Sequence, residues 1–393
     1  MNATTTNVPP ALTIPEASSS SPALRSRRII IACVIISSVL VAANAFVCWT
    51  WSHFAGTPGW LVWQVIPDLL ALAFISSSVI GFRYSSAPLR AVHRLSAWWL
   101  GALNFAVFAA AGCWIMAGVF WLAGWPVQLL SFGRFFFAAT LVATIYGLIN
   151  AAWIRVTRIT VQLPHLPKSW HGRTAALVTD THLGPISGPF FLHRVLRKLR
   201  FVRPDAVFIS GDMFDGSPVG LQRLVAPWRE FSAPWGVFYV TGTHEEFSER
   251  GIYLNAVRET GIHVLNNEKV GIHGLQLVGV HNAEAASPEI LRSILRQAQL
   301  DPQQPNVLLT HQPSNLSVPE EEGVSLQLSG HTHGGQMWPW NLVASRVYGR
   351  FAYGLNRVGN LQVYTSSGVG TWGPPLRVGT KAEIVLIKFE QKI

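Results

Sequence analysis

The sequence predicts an α/β domain preceded by an all-helical membrane bundle of about four helices, and three observations support this prediction. First, residues 1–159 are poor in charge, with nine of the 30 lysines and arginines and two of the 20 acids. Second, four apolar segments in that part reach the roughly 20 residues that a helix needs to cross a bilayer. Third, beyond residue 171, short β-branched runs alternate with segments of helical spacing, which is the pattern of an α/β domain.

The front of the chain divides into a tail and the predicted bundle. Residues 1–28 are rich in Thr, Pro, Ser and Ala, and we predict a disordered tail because they lack the apolar side chains that pack a core. The bundle is predicted over residues 29–158, with spans at 29–51, 60–82, 95–122 and 135–154. Residues 125–132 are a candidate fifth span, but they are too few for a helix to cross.

The basic residues that flank the spans predict their orientation. They lie before the first span, between the second and third, and after the fourth: Arg25, Arg27 and Arg28; Arg83, Arg90 and Arg94; Arg155, Arg158 and Lys168. By the positive-inside rule, the C-terminal half faces the cytoplasm. The run SRRIII at 26–31 also fits a twin-arginine export signal, but the three spans that follow favour flanking charge. We therefore expect an integral, multi-pass protein of the cell membrane.

The C-terminal half is predicted to begin with a linker over residues 159–171, which contains VQLPHLPKSW, and to continue as an α/β domain over 172–393. Eight runs are predicted strands: 174–180, 205–212, 236–242, 275–280, 306–311, 326–331, 361–368 and 382–389. Four segments have helical spacing: 190–201, 221–231, 249–260 and 288–300.

Carboxylates and imidazoles follow five of the first six predicted strands. They are Asp180 and His182, Asp212 and Asp215, His244, His311, and His331 with His333. A single histidine at a strand end is usually a surface residue, but ligand sites of α/β sheets gather at the carboxyl ends of strands, so we expect these residues to converge. Imidazole and carboxylate suit Mn, Fe or Zn. Two such ions can stabilise an in-line attack on phosphorus.

The motifs DTH, GDMFD, GTHE, LLTH and GHTHGGQ, in this order and spacing, resemble those of the calcineurin-like metallophosphoesterases. The ending YTSSGVGTWGPPLRVGTKAEIVLIKF is similar to the YkuE-like branch, which includes proteins with N-terminal membrane spans. The resemblance covers about residues 172–390. It implies a four-layer β-sandwich flanked by helices and a phosphoester hydrolase with two divalent metal ions, for which Mn, Fe or Zn are expected.

The resemblance also implies roles for individual residues. Asp180, His182 and His333 would bind one metal, His311 and His331 the other, and Asp212 would bridge the two. His244 would contact the phosphoryl group as a general acid or as electrostatic support. Asp215 would orient either a ligand or His244.

One position departs from the family pattern. Thr243 stands where the family motif has an asparagine whose carbonyl oxygen binds the second metal. The threonine hydroxyl is a shorter and weaker donor, so we expect weaker binding of that metal but not loss of the site.

The predicted function is therefore a membrane-anchored, metal-dependent phosphoesterase that hydrolyses a phosphomonoester, phosphodiester or pyrophosphate. The membrane tether suggests a lipid-linked substrate. The alternative is a catalytically weak membrane sensor or scaffold that keeps the fold. A transporter is disfavoured because the spans lack paired charges. No nucleic-acid partner is expected, because residues beyond 159 hold 21 of the 30 basic and 18 of the 20 acidic residues, too small an excess for phosphate-backbone binding.

One stretch leaves two interpretations open. Residues 337–355 interleave aromatic side chains with Arg346 and Arg350. This composition suits the bilayer interface, which would add the lipid bilayer as a direct partner, and it suits core packing equally. The oligomeric state is also left open.

Overall fold

The structure is a computed structural model that describes residues 22–392. Within this range the chain forms two compact units, one of residues 22–80 with 86–146 and one of residues 81–85 with 147–392. The predicted tail lies outside the described residues up to position 21, and its last seven positions, 22–28, are the beginning of the first helix.

The first unit is built from four long helices, of which the last continues into the second unit. They are α1 (Pro22–Ala55), α2 (Trp60–Gly81), α3 (Ala87–Leu122) and α4 (Leu129–Ala152). All four are long and apolar enough to cross a membrane, which confirms the four predicted spans. Residues 125–128 are not helical and residues 129–132 are the first turn of α4, so the segment considered as a fifth span is not a helix of its own.

A buried polar network links the first three helices. Asp68, the single acid inside the spans, accepts hydrogen bonds from the side chains of Asn44 at 2.9 Å and Gln64 at 2.8 Å. Trp99 Nε1 donates to the Asn44 carbonyl oxygen at 3.3 Å. Because polar side chains inside a bilayer are stabilised by such bonds between helices, this network fixes how α1, α2 and α3 pack together.

The second unit contains twelve strands and seven further helices. The strands are β1 (Arg155–Leu163), β2 (Thr174–Val178), β3 (Ala206–Ser210), β4 (Val237–Val240), β5 (His263–Val264), β6 (Glu268–Ile272), β7 (Leu275–Gly279), β8 (Asn306–Leu309), β9 (Leu326–Ser329), β10 (Gly354–Val358), β11 (Leu361–Thr365) and β12 (Glu383–Gln391). The helices are α5 (Pro189–Val202), α6 (Leu221–Val225), α7 (Arg250–Arg258), α8 (Asn282–Ala286), α9 (Pro288–Gln297), α10 (Ser317–Glu321) and α11 (Trp340–Tyr348).

The strands form two mixed, six-stranded sheets that pack face to face. Their strand orders are β1-β12-β2-β3-β4-β5 and β10-β11-β9-β8-β7-β6. Leu177, Phe208 and Leu309 belong to the buried apolar layer between the sheets. A second apolar cluster packs α5 and α7 on the outer face of the first sheet, and a third packs α9 and α10 on the second. Helix, sheet, sheet and helix make four layers, which confirms the predicted fold class.

The segment predicted to be a linker is part of the sandwich. Strand β1 begins only two residues after α4 and pairs in parallel along nine residues with β12. Further on, Trp170 is buried between aromatic neighbours, and its Nε1 donates to the carbonyl of Ile272 at 2.7 Å. The two prolines of VQLPHLPKSW suggested a linker, but β1 ends at Leu163, directly before the first of them.

The short loop between α2 and α3 belongs to the same unit as the sandwich. Ser217 Oγ donates to the carbonyl of Gly81 at 2.8 Å. Two crossings, α3 and α4, separate this loop from the sandwich along the chain. An even number of crossings returns the chain to the side from which it started, so this contact is compatible with four spans and incompatible with five.

This arrangement predicts where the chain can be labelled from outside the membrane. In a background without Cys33, Cys48 and Cys113, we expect Tyr84→Cys and Gln303→Cys to react with an impermeant maleimide from the same side of sealed vesicles. Thr57→Cys, in the loop between α1 and α2, should react from the opposite side. Labelling of Tyr84→Cys together with Thr57→Cys would contradict the arrangement.

Candidate metal centre

The strand ends of both sheets meet at one place. In the first sheet, β2 is followed by Asp180 and His182, β3 by Asp212, and β4 by His244. In the second sheet, β8 is followed by His311, and β9 by His331 and His333. The two sheets are joined here, because Ser210 Oγ donates to the carbonyl of Thr310 at 2.7 Å. The convergence expected from the sequence therefore occurs between two sheets.

The first group of candidate ligands is Asp180, His182 and His333. The two imidazole Nε2 atoms lie 3.0 Å apart. Asp180 Oδ1 lies 3.9 Å from His182 Nε2 and 3.5 Å from His333 Nε2. One ligand atom from each residue lies within 4.8 Å of the others, and all three residues are buried.

The second group is Asp212, His311 and His331. Asp212 Oδ2 lies 3.2 Å from His311 Nε2, which in turn lies 3.3 Å from His331 Nδ1. The other nitrogen of His311 is 2.8 Å from the carbonyl of Ser210, which orients the ring. Asp212 also lies 3.8 Å from His182 Nε2, so this carboxylate stands between the two groups.

The backbone of these turns is held in unusual conformations. Five of the candidate ligands have φ between +44° and +70°, a region that residues other than glycine rarely adopt. They are Asp180, His182, Asp212, His331 and His333. Such conformations persist where the surroundings enforce them, and they concentrate at functional sites. Gly242 permits the close packing, since a Cβ there would lie 2.2 Å from Asp212 Oδ1.

The electrostatics of the cluster fit a bound cation. Burial lowers the pKa of His182 to about 3, and burial together with His311 lowers that of His331 to about 4, so both rings offer neutral nitrogen donors. Burial also opposes a proton on His311, but Asp212 and Asp180 outweigh it and raise its pKa to about 10. Positive charge beside the two buried carboxylates stabilises them. Divalent ions that bind oxygen and nitrogen donors can supply this charge.

The other three predicted site residues border the two groups. Thr243 Oγ1 lies 3.3 Å from both carboxylate oxygens of Asp212 and 3.5 Å from His311 Nε2. The His244 backbone donates to Asp212 at 2.9 Å, and its ring Nε2 is 4.0 Å from the same carboxylate. Asp215 Oδ1 lies 3.7 Å from His182 Nδ1, and the Asp215 backbone is hydrogen-bonded to the His244 ring, so Asp215 lies beside both groups that it was suggested to orient.

Comparison with known proteins decides the family. The family described as calcineurin-like phosphoesterase matches residues 174–335. An uncharacterised metallophosphoesterase of Campylobacter jejuni is 31% identical over 257 residues, which are 64% of this chain and 68% of the relative. The chain belongs to the calcineurin-like metallophosphoesterase family. Its catalytic class is therefore that of the phosphoric ester hydrolases.

Two further relatives place this metallophosphoesterase among membrane and YkuE-like proteins. A bovine protein named transmembrane protein with metallophosphoesterase domain is 32% identical, over 62% of this chain and 59% of its own. YkuE of Bacillus subtilis is 26% identical, over 60% of this chain and 86% of its own. The chain thus spans 68% of the length of the Campylobacter relative and 59% of the length of the bovine relative.

Glu245 is a site residue that the sequence reasoning did not single out, although it is the last residue of the GTHE motif. Its buried carboxylate accepts hydrogen bonds from the backbone N–H groups of Asp212 at 3.0 Å, Phe214 at 2.8 Å and Gly242 at 2.7 Å. It therefore ties the turn after β3 to the turn after β4 and fixes Asp212 relative to Thr243.

Arg377 was also missed, although it lies in the PPLRVG part of the C-terminal motif. The side chain is fully buried. Its Nη2 donates to the carbonyls of Ser367 and Gly370, both at 2.6 Å, and lies 3.3 Å from His333 Nδ1. Burial lowers its pKa to about 10, which still leaves the guanidinium charged at neutral pH. Arg377 thus positions His333 and the turn at 367–370.

We expect Arg377→Met to weaken metal binding about 10- to 100-fold, the usual effect of removing a group that orients a ligand. Metal content and affinity of the purified full chain would be measured by elemental analysis and calorimetry. Arg377→Lys retains a charge without the planar fork, so its metal affinity should lie between that of the unmodified chain and that of Arg377→Met. An Arg377→Met protein that keeps wild-type metal affinity would exclude this positioning role, and its melting temperature controls for misfolding.

Proposed function

We propose that this chain is a membrane-anchored phosphoesterase whose centre holds two divalent metal ions. The observation that carries the proposal is the position of Asp212, whose Oδ2 lies 3.2 Å from His311 Nε2 and 3.8 Å from His182 Nε2. A carboxylate shared by two groups of nitrogen donors is what a bridging ligand requires. When bound, two such ions polarise the phosphoryl oxygens and activate water as a nucleophile at neutral pH.

The ligands divide between two positions in this proposal. Asp180, His182 and His333 would hold the first ion, His311 and His331 would hold the second, and Asp212 would be shared by both. Thr243 Oγ1 is a weak additional donor to the second position, since it lies 3.3 Å from Asp212 and 3.5 Å from His311 Nε2. Mn, Fe or Zn suit these donors.

His244 is proposed to contact the phosphoryl group. Its ring lies beside the centre, 4.7 Å from the ring of His182. Its ring Nε2 lies 4.0 Å from Asp212 Oδ2, so this nitrogen is on the side of the proposed metal positions. Burial lowers its pKa although Asp212 opposes the shift. We infer that the neutral imidazole donates a hydrogen bond to the phosphoryl or leaving oxygen.

The proposed substrate is a phosphomonoester, phosphodiester or pyrophosphate that is linked to a lipid. The support for a lipid is the short tether, since only two residues separate α4 from β1. The distribution of basic residues along the chain supports a catalytic domain on the cytoplasmic side. The relatives named above support the phosphoester chemistry and, for the bovine protein, the membrane setting.

A second candidate function is a membrane sensor or scaffold with little turnover. The observation that favours it is Thr243, because the hydroxyl is a poorer ligand than the asparagine of the family motif. The two candidates differ in metal content and in rate, and both quantities can be measured on one preparation.

The enzyme proposal predicts that the purified full chain loaded with Mn hydrolyses an aryl phosphodiester. Asp212→Ala should lower the rate at least about a hundredfold, since metal ions contribute several kcal/mol of transition-state stabilisation. The control is Glu259→Ala, which removes an exposed carboxylate paired with Arg229 and should leave the rate unchanged. Absence of hydrolysis with Mn, Fe, Zn and Mg would refute the enzyme proposal.

The second metal position predicts the effect of Thr243→Asn. The amide oxygen reaches further than the hydroxyl, so we expect tighter binding of the second ion, roughly tenfold, and a higher rate at low Mn concentration. Thr243→Ser keeps a hydroxyl and is the matched control. Two ions already bound tightly in the unmodified chain would contradict the predicted weakness, whereas one tight ion without turnover would favour the sensor.

A further inference from the structure

The outward face of α11 is apolar, although it faces away from the sandwich. Leu342 is 61% exposed, Val343 51% and Val347 67%, and no residue of the helix is buried. The outer side of a surface helix is normally polar, and a contiguous apolar surface of this kind marks an interaction site. Core packing, one of the two interpretations of residues 337–355, does not account for these three side chains.

The opposite side of α11 is fixed beside the metal centre. The helix begins shortly after the turn that carries His331 and His333, and the Tyr348 ring lies 6.0 Å from the ring of His331. Thr332 Oγ1 donates to the carbonyl of Ala352 at 2.7 Å, just beyond the helix. Whatever the outward face contacts is therefore brought close to the second group of ligands.

Trp372 extends the apolar surface along the other side of the centre. It is 60% exposed, and its ring lies 6.3 Å from the ring of His244. The Gln336 side chain accepts from the Trp372 N–H at 2.9 Å and donates to its carbonyl at 3.0 Å. Trp372 is thus held to Gln336, in the segment that leads into α11, and adds a further exposed apolar side chain near the centre.

This surface is connected by hydrogen bonds to the end of a predicted membrane span. Asn150, in the last turn of α4, donates from Nδ2 to the carbonyls of Arg377 and Thr380, both at 2.8 Å. The adjacent Val378 carbonyl accepts from the Trp338 N–H at 2.9 Å, two residues before α11 begins. The surface is therefore only a few bonds from a helix that crosses the bilayer.

The charge of the surface selects the kind of membrane. Between Glu322 and Glu383 the sequence contains no acid, while Arg346 and Arg350 are both exposed. A short helix with apolar side chains, tryptophans at its start and arginines beside them is typical of segments that lie in the bilayer interface. Basic residues at that depth are attracted by anionic headgroups.

We propose that the face formed by Leu342, Val343, Arg346 and Val347, together with Trp372, docks on an anionic lipid bilayer surface and places the mouth of the metal centre at the headgroup level. Docking of this face does not depend on hydrolysis. This inference rests on the proposed function and deepens it, because docking would give a phosphate ester carried by a lipid a direct route to His244 and the candidate ligands.

The test uses spin labels on the full chain in vesicles of phosphatidylcholine and phosphatidylglycerol, without substrate. In a background without the three native cysteines, Val347→Cys places the label on the docking face. Gln303→Cys places the control label in the loop before β8, at the opposite end of the strands from the centre. We expect the Val347→Cys label to be accessible to oxygen and shielded from a water-soluble nickel chelate, and the control label to show the reverse.

Each arginine contributes about fivefold to the docked population at an anionic surface. Arg346→Glu combined with Arg350→Glu should therefore shift the Val347→Cys label toward water, as should vesicles of phosphatidylcholine alone. Leu342→Cys provides a second label position if Val347→Cys fails to fold. A label as exposed to the chelate as the control would overturn the proposal. Shielding from both reagents with dipolar broadening would also overturn it, because a second copy of the chain would then cover the face.

Discussion

The centre depends on the burial of two carboxylates, Asp180 and Asp212, where the strand ends of the two sheets meet. Burying a charge without a partner is costly, so the pocket is stable only if positive charge or several donors stand beside each carboxylate. The chain supplies donors around Asp212 through the His244 backbone and His311. Asp180 accepts from the Thr179 hydroxyl at 2.7 Å and from the His331 backbone. A bound cation would stabilise these carboxylates further, and this is why the pocket suits cations.

The sandwich explains why this pocket is rigid enough to act on a phosphate. Its six candidate ligands come from turns after four strands in two sheets, and the apolar layer between the sheets holds those strands together. Two further side chains hold the turns in place. Glu245 accepts hydrogen bonds from backbone N–H groups, and Arg377 donates to backbone carbonyls and contacts His333 Nδ1. Both side chains therefore help to hold the candidate ligands in place.

The end of α4 is connected to the candidate metal centre by the chain and by hydrogen bonds within the second unit. The last turn of α4 leads within two residues to β1 at the edge of the first sheet, and Asn150 of that turn binds the carbonyls at 377 and 380. The same C-terminal segment carries Arg377, which contacts His333. The end of a candidate membrane span and a candidate ligand are thus bonded to one stretch of chain.

The amino-acid sequence by itself predicted the four long apolar helices and the polar residues that meet at the strand ends. Helices that cross a bilayer satisfy their backbone within one segment, so length and apolar composition suffice, and DTH, GDMFD and GHTHGGQ each place their ligands on one short turn. Tertiary structure alone decided that β1 is a strand, because its partner β12 lies more than two hundred residues further on. The tertiary structure likewise revealed the positioning roles of Glu245 and Arg377, because their hydrogen-bond partners are backbone groups that no sequence pattern displays. It also decided which side of α11 faces outward, since the helix has apolar side chains on both sides and only packing against the turn at His331 distinguishes them.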